Sequence, residues 1–380
     1  MRLRTVAKLS IVVSVILFCI GIGLYGFAQL SMVDKGREAD VLSYVPNDCS
    51  GVFETDNLDF FMNEFLQTAY AGRMESLRRA GITDAIFSDL TRYAFRSAHG
   101  LSGQMNHILM SFHAPGTPQD VVVYFRMGKG GKDKVVDAIC RKFGVKYEPK
   151  KETYRGEKIE VYPINAASFV AVYEGSGFLA VSYQKRLIEA VIDAHKDESS
   201  LRQDAVFMSA YREKSVNFMT LYGHAPSLPF LEGNKDAQDC WSVYDIHVNS
   251  DVFYLSGGIH RSDSCRQVTA ARLCSSAMDV RQDSLLVLSG TDKIAPAISE
   301  VIALPSHSLF EECISNLSLD ASYIMVADMD KVACSPERFS GYLPAFMLAH
   351  PDMFRSFILS VQVTEVDGKL SHIFVFTYKE

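Results

Sequence analysis

The sequence predicts an α+β protein: an N-terminal transmembrane helix followed by a duplicated ectodomain of mostly antiparallel sheets with packed amphipathic helices. Three observations carry this expectation. An uncharged apolar run from Leu9 to Val33 opens the chain. Beyond it, stretches of alternating apolar residues are interleaved with stretches of helical period. Hairpin signals and proline turns then recur in similar order in the two parts of the remainder.

The opening run holds "IVVSVILFCIGIGLYGF". As a helix rising ~1.5 Å per residue, the segment outspans a hydrocarbon core of ~30 Å. Arg2, Arg4 and Lys8 precede it, whereas "DKGREAD" beyond it mixes both signs, so the basic flank stays in the cytoplasm. This places the N-terminus inside and the body in the periplasm or outside, tethered to the inner membrane. The rival reading is a cleaved secretory signal, with "GFA" at 26–28 ahead of a cut before Gln29; the length of the apolar run favours retention.

Acidic side chains number 45 against 38 basic ones, a net charge of −7. Arg2, Arg4 and Lys8 lie in the leader, so the exported part is more acidic still. This balance argues against nucleic acid as a partner, since its phosphates require clustered Lys and Arg. Of the 8 cysteines, Cys19 lies in the apolar run, leaving an odd seven outside. With no Cys-x-x-Cys among them, these read mostly as small buried apolar residues. Cys265 and Cys274 are the only two near enough in sequence to suggest a bridge.

The body opens with "VLSYVPNDCSGVFETDNLDFFMNEFL": a Pro-Asn-Asp turn, a strand around "SGVFETD", and a helix from near Leu58 that Asp56 or Asn57 can cap. Helices follow near "RMESLRRAG" and "DAIFSDLTRYAFRSA". "HILMSFH" and "DVVVYFRM" read as neighbouring strands across "APGTPQ". "KDKVVDAICRKFG" then presents Val135, Val136, Ile139, Cys140 and Phe143 on one helical face. The plan returns as strand "GFLAVSY" and helix "QKRLIEAVIDAH", with Leu187, Ile188, Val191 and Ile192 aligned.

"EVIALPSHSLFEECISNLS" at 300–318 loosely repeats "DVLSYVPNDCSGVFETDNLD" at 40–59 in its apolar run, proline turn and polar tail. Hairpins are expected at Asn249-Ser250-Asp251 and at Asp367-Gly368. The division is therefore 1–33 for a cytoplasmic stub and anchor, 34–215 for a first α+β half, and 216–380 for a second half ending in a β-hairpin.

The stretch from "GFLAVSY" through "SLRQDAVF" to "NFMTLYG" resembles the central pattern of a bacterial membrane-anchored domain-of-unknown-function family. Its "SL-x-x-D-x-x-F" segment falls on Ser200, Leu201, Asp204 and Phe207. The opening "YVPNDCSGVFETDNLDFF" is similar to that family's start. The resemblance implies an anchored extracytoplasmic protein; it supplies no activity and no functional residues.

Four constellations are candidates for chemistry. Ser182 and Lys185 have Ser-x-x-Lys spacing, but Ser182 lies between a strand and a helix, where capping explains it, and neither Ser-Asp-Asn nor Lys-Thr-Gly occurs. Asp328 and Asp330 follow an apolar strand, as in metal-dependent phosphate hydrolases, yet no later acidic cluster completes such a site. Arg126, Lys129, Lys132 and Lys134 surround glycines before a helix, a place for an anion, but Lys132 is followed by Asp133 and makes no Walker loop. His107 and His113 bracket one strand and share a face by parity, without further metal partners. The lone Trp241 reads as core.

No catalytic, cofactor-binding or metal-ligating residue is assigned, and no cofactor is implied. The expectation is non-catalytic binding or scaffolding at the cell envelope, with the membrane and an envelope protein as partners. An envelope hydrolase with an unfamiliar site, or a binding module for an apolar ligand, are the alternatives.

Overall fold

The computed structural model describes residues 40–55, 67–70, 107–114, 119–126, 150–165, 168–212, 219–224, 240–261, 278–343, 347–348, 351–366 and 369–379, with part of 132–149. Its strands are β1 (Gly51–Thr55), β2 (Ile108–Phe112), β3 (Val121–Arg126), β4 (Lys150–Tyr154), β5 (Glu157–Pro163), β6 (Phe169–Gly175), β7 (Phe178–Ser182), β8 (Met219–Gly223), β9 (Cys240–Val248), β10 (Val252–Arg261), β11 (Asp279–Gln282), β12 (Leu285–Ser289), β13 (Tyr323–Asp328), β14 (Phe357–Val366) and β15 (Lys369–Tyr378). The helices are α1 (Lys185–Lys196), α2 (Ala205–Arg212), α3 (Thr291–Ile302), α4 (Leu309–Ser315) and α5 (Met329–Cys334).

All the strands join one 15-stranded sheet, in the order β11-β12-β13-β14-β15-β10-β9-β8-β1-β2-β3-β7-β6-β5-β4. Each neighbouring pair is antiparallel. This corrects the expected α+β body of separate sheets with packed helices: the molecule is mostly one antiparallel sheet, and its helices are short. The physical reason lies at β8, which pairs with β1 on one side and β9 on the other. Two separate sheets would each expose an edge of unpaired backbone groups there, and the joint removes both.

The expected echo also fails. Residues 40–59 open with a 3-10 turn (Val41–Tyr44) and β1, whereas 300–318 hold the end of α3 and all of α4. Ser308 forms a capping box with Glu311 at the start of α4, so the apolar residues after it follow a helical period. No helix among the described residues is long and apolar enough to cross a membrane. The expected anchor at Leu9–Val33 lies outside them, as do the helices expected from Leu58 and between 71 and 100.

Other local readings agree with the structure. β2 pairs with β3, β7 leads into α1, and Asn249 N–H bonds Val252 O at 2.8 Å to close the β9–β10 hairpin. Val366 pairs with Lys369, so β14 and β15 form the expected hairpin. At Gly257 in β10 a Cβ would fall 1.8 Å from the Val243 carbonyl oxygen of β9, so only glycine lets these strands approach.

Directly paired residues on neighbouring strands share a face. The row Val52, Tyr222, Val243 packs with the residues of α1 and α2. His247, on the same face of β9 as Val243, starts a row through Tyr254, Val375, Ser360 and Val326, and Val326 packs with α3 and α4. Helices α1 to α4 therefore lie on one face. The opposite face carries two cores, one around Val123 and Leu179 and one around Met325, Val361 and α5.

Double cover explains the sequence of the flanking strands. β7 and β12 are buried at every residue, and "FLAVS" and "LLVLS" are apolar runs that do not alternate. α1 seals its side with Leu187, Ile188, Val191 and Ile192, each worth about 1.5–3 kcal/mol if fully transferred from water. β10, in the middle of the sheet, differs: all its residues are only half-buried.

Candidate functional site

The residues that sequence reasoning singled out are held in structural bonds. Ser182 ends β7 fully buried; its Oγ donates to Val121 O at 2.8 Å and accepts the Gln184 N–H at 3.1 Å. It is not the helix cap, since Gln184 holds that position. Lys185 turns away to Glu152 at 2.6 Å and Glu189 at 3.2 Å. With Lys150, it holds the Glu152 carboxyl down to about 2. The Ser-x-x-Lys spacing thus brings no nucleophile and base together.

Asp328 caps α5 through the Asp330 N–H at 3.0 Å and pairs with Lys379, while Asp330 lies 3.5 Å from Arg355. Lys132 is shared between Glu160 at 3.3 Å and Glu174 at 3.0 Å; Lys129 and Lys134 lie outside the described residues. Cys49, Cys240 and Cys313 are buried and, like Cys140 and Cys334, form no disulfide; Cys265 and Cys274 lie outside the described residues. Among the described residues no three His, Cys, Asp or Glu side chains converge as a metal site.

His107 and His113 are held by different groups. His113 Nε2 meets Ser111 Oγ at 2.8 Å, and burial pushes its imidazole down to about 4, against the opposing pull of Asp48. This is a serine beside a base, and the sequence reading passed over it. Ser111 is fully buried, however, and also donates to Tyr124 Oη at 3.4 Å, which leaves no approach for a substrate.

His107 meets Glu54, a side chain on β1 that is only 1% exposed, with Nε2 3.0 Å from Oε1. Tyr211 of α2 donates to the same carboxylate at 3.1 Å, with Arg126 beside the phenol. Burial, then the Glu54 charge, pushes both the Tyr211 and Tyr222 phenols upward. In register, Glu54 faces Thr220 on β8, and Thr220 faces Asp245 on β9, whose carboxylate accepts its hydroxyl at 3.2 Å. The cluster therefore joins four strands and α2 on the helix-bearing face. Sequence offered one signal for it: Glu54 interrupts the apolar row of "GVFET".

The "SL-x-x-D-x-x-F" segment is explained beside this cluster. Leu201 is buried and its N–H bonds Val45 O at 2.8 Å. Asp204 accepts the Phe207 N–H through Oδ1 at 2.9 Å and the Trp241 indole N–H through Oδ2 at 2.9 Å. Phe207 meets the Trp241 ring edge-on at 4.9 Å, and His224 stacks on it at 4.4 Å. These contacts seat α2 over β9 and β10.

From α2 towards α4, which sits over β13 and β14, the same face runs across β9, β10 and β15. His247 and Tyr254 stack there at 4.4 Å and 11°, with Ser256, Ile373 and Val375 beside them, all half-buried. This strip presents imidazole, phenol, hydroxyl and aliphatic side chains on paired strands. Comparison with known proteins finds no family model, no curated protein and no solved structure that matches this chain.

Proposed function

We propose that the chain is a non-catalytic binding or scaffolding protein of the cell envelope, tethered by Leu9–Val33, whose contact surface is the strip formed by β9, β10 and β15. The observation that carries this reading is the contrast in burial along one sheet. β7 and β12 are buried throughout, whereas β10 is half-buried at every residue and its Tyr254 stacks on His247 of the neighbouring β9. Aromatic side chains on a rigid platform give large contact area at small entropic cost. The anchored location is supported by the uncharged apolar run and its basic N-terminal flank.

The test places a photo-crosslinking residue at Tyr254 in the full-length protein in cells, with the same residue at the exposed Lys158 of β5 as control. A single partner captured in near-equal amount from Tyr254, and not from Lys158, is expected. Equal capture from both positions, or none from either, would overturn the proposal.

A further inference from the structure

No further inference is drawn: the strongest candidate, the Tyr222 hydroxyl buried next to Glu54, Tyr211 and Asp245 on the helix-bearing face of the sheet, belongs to the side-chain cluster already described.

Discussion

Replacing Asp204 by Ala removes two bonds with one change, and their costs can be separated. Oδ1 accepts the Phe207 N–H in the first turn of α2, a capping contact whose loss costs about 1 kcal/mol. Oδ2 accepts the Trp241 indole N–H; the ring is 1% exposed, so truncation leaves a buried donor unsatisfied at roughly 1–3 kcal/mol. Asp204→Ala should therefore destabilise by about 2–4 kcal/mol. In a Trp241→Phe background the indole donor is gone, and the same change should cost only the cap, about 1 kcal/mol. The assay is urea unfolding of the full chain in mild detergent, followed by far-ultraviolet circular dichroism, because Trp241 is the only tryptophan and is itself altered. Equal losses in the two backgrounds would refute the claim that Asp204 holds Trp241 to α2.

Other outcomes follow from the same structure. Ser182→Ala should lower stability by about 1 kcal/mol, through the lost bond to Val121 O, while crosslinking from Tyr254 is unchanged; loss of function at full stability would restore a chemical role for Ser182. His113 and His372 are both pushed down to about 4 by burial, so the folded state takes up their protons later than the unfolded chain. Stability should accordingly be complete above pH ~7 and fall between pH ~6.5 and ~4, by up to a few kcal/mol, with the fall reduced in His372→Gln. A flat pH profile of the unfolding midpoint would contradict this. Arg155→Ala, which breaks exposed pairs with Asp193 and Asp197 at 2.8 and 2.7 Å, should cost little at low salt and nothing measurable at ~1 M salt, where the screening length is ~3 Å. An undiminished loss at high salt would show that the contact between the β4–β5 hairpin and α1 is not ionic.

Local elements were legible where one chain segment carries its own periodicity or turn chemistry. "QKRLIEAVIDAH" sets its four large aliphatics on one helical face, and α1 occupies that span. The Asn249-Ser250-Asp251 and Asp367-Gly368 turns likewise placed two hairpins. The meander of β4, β5 and β6 was missed because "KKETY" and "EKIEVYP" are rich in charge, as strands near an open edge are. α3 was missed because Pro296 falls inside it, and proline normally argues against a helix interior.

By itself, the sequence determined the uncharged apolar opening, the acidic balance, and the strands and helices whose pattern is complete within about a dozen residues. Only the tertiary structure decided that the strands form one sheet, because pairing of β8 with both β1 and β9 is a contact between distant segments that no local period encodes. It also decided the meaning of the polar residues. Glu54, His107, Arg126 and Tyr211 are scattered in sequence and converge because β1, β2, β3 and α2 meet on one face, whereas Ser182 and Lys185, close in sequence, are drawn apart by Val121 and Glu152. A buried polar group must find its partner in space, and spacing along the chain does not say which partner that is.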